Sequence, residues 1–396
     1  MTNAKIPKLG MDPFAPDVVI DPYAFHEHLR ETASVSYCEQ HHSYAVGRYD
    51  EVKRVLEDWQ GFTSTAGAGL SDIRKPGAWR QPGPLVEADP PSHTLIRSVV
   101  SKVISPKIIK SWQDAYTAGA VDLVDRLCDQ REMCGARDIA EAFVIENFPK
   151  SLGLEAHREN MIIVGNFNFN ALGPKNALFE KSAAELERIS EWFNAVQGRE
   201  GIAPGSFGAQ VYDAADAGVI DEDVARGLVR TMLRGGMDTT ISGLASVLRI
   251  MAEQPGLWTR LRTDRSKLKL VFDEAIRLET PIQSWYRTTT RAVDLGGYRL
   301  EPETKVQVFA GAANRDPRRW QRPGDYDISR SAAGHLAFGG GIHLCIGQMI
   351  ARMEAECLLG ALLDRVARIE QIGAAVYRPL NTLRTLDHLP LRLVAA

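Results

Sequence analysis

Apolar residues recur three and four apart over long stretches of this chain, most clearly across 111–130, 178–197, 221–253 and 346–368. That spacing collects them on one face of an α-helix, so the pattern predicts a mostly helical body. Strand-like runs are few and short: 35–38 with 44–47, 298–300, 305–309 and 389–394 read as small sheets. The fold class expected is mainly α with a small β region. Residues 65–84 carry proline and glycine without either period. A loop that long is more than a connector, and it is expected to cover a binding site. Repeats, low-complexity tracts and composition breaks are lacking, so 1–396 reads as a single domain.

Composition narrows the class. With 44% hydrophobic and 24% charged residues, the 396-residue chain can bury a core large enough to hold a sizeable cofactor. A net charge of -3 argues against general nucleic-acid binding. The five cysteines, an odd number without framework spacing, imply a reducing compartment. Residues 1–16 are polar and proline-punctuated, with neither a signal core nor a membrane-spanning run, so the expected location is cytoplasmic and off the membrane.

One segment carries chemistry outright: Phe338-Gly339-Gly340-Gly341-Ile342-His343-Leu344-Cys345-Ile346-Gly347. Glycines let the backbone wrap tightly around a sulfur and leave room for a large flat group. A helix starting near Gly347 would point its free N–H groups at Cys345 and favour the thiolate. A buried structural cysteine or half of a zinc site are the bland alternatives; zinc is weak, because Cys38, Cys128, Cys134 and Cys357 form no close pair. The segment resembles the haem-binding loop of the cytochrome P450 family at every fixed position, Phe338, Gly341, His343, Cys345 and Gly347. The resemblance implies a haem-thiolate monooxygenase with Cys345 as axial ligand of haem b (iron protoporphyrin IX).

Four further constellations stand out, the first three matching the same family. Glu274 and Arg277 stand three apart and would buttress the core; an isolated surface pair of this kind is worth only about 0.3–0.5 kcal/mol. Gly235-Gly236-Met237-Asp238-Thr239-Thr240 interrupts a helical pattern, and two glycines cost roughly 1 kcal/mol each there. By resemblance Asp238 is the acid and Thr239 the alcohol of a proton relay to dioxygen. His93 and Arg97, four apart, together with Arg287 and His343 match the positions that hold the haem propionates. Arg97, Lys102, Lys107 and Lys110 fall in a stretch without acidic residues. That face is either solvated or a docking surface for an acidic ferredoxin, supplied in turn by a ferredoxin reductase.

The similarity is nearest to the bacterial subgroup that oxidises para-substituted benzoates, often by O-demethylation, on the segments 69–72, 170–174, 281–291 and 314–320. It implies a small aromatic carboxylic acid as substrate, with Phe169, Leu172, Ile282 and Trp285 as apolar walls. Ser71, Arg230, Thr231 and Arg234, with Gly235, are the candidates around its carboxylate. Arg234 stands where the subgroup usually has serine, and the region of Ala66 lacks the usual arginine. Either the cation has moved from loop to helix, or Arg234 pairs with Asp238 one turn along. A terpenoid-type substrate, or haem binding without oxygen activation, are the alternative functions. The pairs His26/His28 and His41/His42 read as surface residues without partners.

Overall fold

The structure is a computed structural model describing residues 5–130, 132–155 and 157–396. The helix Pro106–Cys128 turns Ile109, Tyr116, Leu123 and Leu127 inward, and Gln348–Arg365 packs along it through Leu358, Leu359 and Leu362. The apolar stripes thus meet as their spacing requires, in one core that also takes in Asp238–Glu253 and Leu268–Glu279.

Three of the long helical runs are shorter than their periodicity suggests. The run 221–253 is two helices, Glu222–Gly236 and Asp238–Glu253, parted at Met237, where φ is -90° and ψ is -70°. The run 178–197 divides into Ala177–Arg188 and Ser190–Ala195 around Ile189. After Arg365 the chain becomes the strand Val366–Gln371, which pairs antiparallel with Pro390–Ala395. The larger sheet orders Ser36–Cys38, Ser43–Val46, Lys305–Val308, Trp285–Thr289 and Phe62–Thr63, with one parallel pair, Ser43–Val46 beside Lys305–Val308.

Between Phe62–Thr63 and Ser92–Val103 no helix or strand forms, in keeping with the expected covering loop. Its path is fixed by backbone contacts. Leu70 N–H donates to the Leu172 carbonyl at 2.9 Å, and Tyr286 N–H to that of Ala68 at 2.9 Å. The Lys305 ammonium donates to the carbonyls of Ala66, Gly67, Gly69 and Ser71 at 2.9, 3.2, 3.0 and 3.5 Å. Trp79 Nε1 reaches the Ala171 carbonyl at 3.1 Å.

The Glu274–Arg277 pair is no surface pair. Both side chains are fully buried, joined at 2.8 and 2.9 Å, and the guanidinium also donates to the carbonyls of Asn314, Pro323 and Asp325. Arg330 adds a bond to Glu274 at 3.1 Å. The node ties Leu268–Glu279 to the chain that runs on towards Cys345. The histidine expectations need correcting: His26 is 1% exposed, while His41 bonds Asp12 at 2.8 Å and His28 the Leu9 carbonyl at 2.7 Å. Among the described residues no helix is long and apolar enough to cross a membrane, and no cluster of metal-ligating side chains occurs.

Candidate active site

A cavity of about 330 Å³ runs between the Cys345 loop and the broken central helix, floored by Phe338, Cys345 and Gly347. The loop closes on itself through a 2.8 Å bond from Cys345 N–H to the Phe338 carbonyl. Gly341 has φ +62°, and a Cβ there would lie 2.3 Å from the Leu56 carbonyl oxygen, so no other residue fits. The helix Gln348–Arg365 begins directly after Gly347. Burial pushes the Cys345 thiol up, against the N–H groups of Gly347 and Gln348 and the cations Arg97 and Arg352. The N–H groups of the helix mouth thus favour the thiolate, and burial works against them.

One edge of the cavity collects cationic donors. Arg97 lies on Ser92–Val103 and donates to the Leu344 carbonyl at 2.7 Å. Arg287, inward-facing on Trp285–Thr289, is buried and bonds only its neighbour's carbonyl, at 2.8 Å; burial pulls its guanidinium down to about 10. His343 stands 3.8 Å from Asp89, and its ring packs edge-on against His93 with centroids 4.6 Å apart. Nε2 of both histidines is buried without a hydrogen-bond partner. Arg97, Arg287 and His343 line the cavity, with His93 behind His343. Burial lowers His93 to about 4, with the nearby cations His343 and Arg97 adding to it.

The helix break forms the opposite wall. Gly235 has open space around it, whereas a Cβ on Gly236 would sit 2.2 Å from Phe148 Cζ. Hydroxyls stitch the break: Thr239 Oγ1 donates to the Gly235 carbonyl at 2.8 Å and Thr240 Oγ1 to that of Gly236 at 3.0 Å. Thr239 faces the cavity, while Asp238 lies behind it against Gly165, where a Cβ would come within 2.2 Å of its carboxylate. Burial drives the Asp238 carboxyl up to about 7, Arg378 opposing, and Oδ2 has no partner. Glu354, one side of the same cavity, is also pushed up, to about 8, by burial against the moderating Thr240 hydroxyl.

Phe169, Leu172, Ile282 and Trp285 line the cavity as expected, the first three packed with Ala68, Leu380 and Leu383. Ser71 does not: it is buried within the covering loop, its carbonyl turned to Lys305. The polar end is built by Arg230, Thr231 and Arg234 from Glu222–Gly236, facing Arg80, Gly83 and Glu87 of the loop. Arg80 lies 3.4 Å from Glu87, which also accepts from Gly83 N–H at 2.8 Å. Arg230 donates to the Pro82 carbonyl at 3.3 Å, and Thr231 Oγ1 to that of Gly227 at 2.7 Å. The Arg234 guanidinium lies over the Phe193 ring at 5.2 Å, and its Nε is buried without a partner. Its pairing with Asp238 is not found: the two make no ion pair among the described residues, and the charges acting on Arg234 are Arg230, Arg80 and Glu87.

A model of the family described as Cytochrome P450 matches residues 209–367. The cytochrome P450 CYP199A2 of Rhodopseudomonas palustris is 44% identical over 397 aligned positions, covering 100% of this chain and 96% of the relative. The chain belongs to the cytochrome P450 family. Solved P450 structures share its fold: CYP109Q5 from Chondromyces apiculatus has a TM-score of 0.81 at 28% identity, covering 98% of both chains. CYP108D1 from Novosphingobium aromaticivorans has 0.82 at 25%, covering 99% of this chain and 100% of its own. As a P450, the protein is a haem-thiolate monooxygenase that takes dioxygen and electrons from redox partners.

The residues present fit a haem. Two orphaned imidazole donors and two arginines gather at one edge, where a pair of buried carboxylates would need such partners, and Cys345 stands alone among glycines at the floor. Sequence reasoning missed Arg80, Glu87 and Glu354. The helix period after Cys345 could have placed Glu354 on the inward face, since it is two turns or so beyond Gly347; Arg80 and Glu87 sit in a loop that offers no period to read.

Proposed function

We propose that this P450 inserts one oxygen atom into a small aromatic carboxylic acid, hydroxylating or O-demethylating a para-substituted benzoate. The carrying observation is that one cavity has Cys345 at its floor, apolar walls of Phe169, Leu172, Ile282 and Trp285, and an unpartnered Arg234 at its far end. The walls hold the ring by apolar burial, and the arginines hold the acid away from the floor, so the opposite substituent faces the reacting centre. Similarity to CYP199A2 over the whole chain supports the same reading.

In this reading Cys345 would ligate haem b, with Arg97, Arg287, His343 and His93 meeting its propionates, and the bound group would supply the oxidising chemistry. Asp238, neutral or ionised near neutrality, takes protons from the Arg378 side and passes them towards the cavity, where the Thr239 hydroxyl presents them. The Gly235-Gly236 opening gives dioxygen room beside Thr239. Electrons come from a ferredoxin and its reductase in the cytoplasm, docked on the face that carries exposed Lys102, Lys107 and Lys110. Residues 1–396 act as one catalytic domain.

The deciding experiment is a spectral titration of the ferric protein with aromatic acids and their amides. The acids are expected to displace the haem spectrum and the amides to bind at least tenfold more weakly; equal affinity refutes the acid reading. Cys345→Ala is expected to lose the carbon-monoxide band of a thiolate-ligated haem, and a retained band would remove Cys345 from its role.

A further inference from the structure

The polar end of the cavity holds more positive charge than a benzoate can use. Arg80, Arg230 and Arg234 converge there, and Glu87 is the single carboxylate among the groups that act on Arg234. Glu87 is already engaged by Arg80 at 3.4 Å and by Gly83 N–H at 2.8 Å. Arg230 bonds one backbone carbonyl, and Arg234 has only the face of Phe193. Nε of Arg234 and Nη1 of Arg80 are buried with nothing to receive their protons. A buried guanidinium without an acceptor is costly, and the one nearby acceptor left open, Oε1 of Glu87, carries a single charge against three cations. A monocarboxylate together with Glu87 would neutralise two of the three cations and leave one stranded. Guanidinium forks match planar or tetrahedral oxyanions by paired hydrogen bonds, so the vacant donors have a definite chemical complement.

We infer that this end of the cavity takes an aromatic substrate whose polar head carries two negative charges, either paired carboxylates or a phosphate monoester. The inference rests on the aromatic-acid reading above and sharpens it. Glu87 then serves as the internal counter-ion that fixes Arg80, while Arg234 and the second fork of Arg80 grip the head. The ring lies between Phe169 and Trp285 as before, so the same position on it meets the floor.

The test titrates the ferric holoprotein, by haem absorbance and independently by calorimetry, with one para-methoxyphenyl ring bearing a carboxamide, a carboxylate, two carboxylates or a phosphate ester. A dianion is expected to bind at least tenfold more tightly than the monocarboxylate. Phosphate monoesters lose their second proton near pH 6, so the ester should tighten about tenfold between pH 5 and 7.5, a comparison needing no variant. Arg234→Gln should weaken the dianion at least tenfold and the monoanion less. Tight binding of only one dianion supports the inference and says which head fits. Equal affinity of monoanion and both dianions, with a flat pH response of the ester, overturns it and leaves the acid reading standing. If the amide matches every acid, both readings fall together.

Discussion

Two places in this molecule set one glutamate among three arginines, and they differ in every other respect. Around Glu279, Arg249 and Arg384 each bond the carboxylate at 3.0 Å and Arg315 stands 3.5 Å away. The surplus charge is absorbed by the protein. Arg249 also pairs with Glu253 at 2.6 Å, Arg384 donates to the Ile20 carbonyl at 2.7 Å, and Arg315 to that of Leu278 at 2.8 Å. Arg315 and Arg384 stack on Tyr23 and Tyr377 at 3.6 and 3.7 Å. Burial alone would raise the Glu279 carboxyl, but its three arginines outweigh it and hold it below the ordinary carboxylate range. Around Glu87 the same inventory is left open, with donors facing a cavity. A closed cluster of this composition is architecture; an open one is a receptor.

The contrast breaks most readily at Glu279. Glu279→Gln takes the shared carboxylate from three arginines at once, leaving each only its secondary partners, and is expected to cost about 3 kcal/mol, read as a lowered urea midpoint of the holoprotein. Asp238 extends the comparison as a second buried charge without a partner. Its carboxyl is held near 7 in the fold against 3.8 in the unfolded chain, so folding is not penalised below about pH 4, is progressively penalised above that, and fully so beyond 7. Asp238→Asn should therefore raise stability by about 2 kcal/mol at pH 8 and change nothing at pH 4, while slowing turnover; a gain that is the same at both pH values would refute the assignment. The smallest expected effect is at Arg234. Its removal as Arg234→Gln should stabilise the ligand-free protein by about 1 kcal/mol, opposite in sign to Glu279→Gln, and thermal melts without ligand measure it.

Where the sequence was legible, a local rule sufficed. The helices with clean three-and-four spacing formed, and the Cys345 loop announced itself because Gly341 and its neighbours can serve few other purposes. The interruption at Gly235-Gly236 was visible as a cost, yet the division of the helix at Met237 was not, nor was the close approach of Phe148 from another helix that leaves no room for a side chain at Gly236. The short strands Glu132–Cys134 and Thr385–His388 went unread because three or four residues carry too little period, and the partner of the first, Pro390–Ala395, lies far along the chain. Ser71 was unreadable for a similar reason: the loop brings Ala68 and Arg80 to the cavity but winds around Lys305 at Ser71, which is buried away from the lining. Arg80 and Glu87 needed the fold before they could be seen as partners.

Lys305 grips the start of the covering loop solely by main-chain oxygens, four of them between Ala66 and Ser71. Such a clasp is indifferent to which side chains the loop carries. Side chains over the mouth of the pocket can therefore be exchanged without rethreading the chain, whichever wall carries the cation. One lysine thus makes substrate choice mutable and the scaffold conservative.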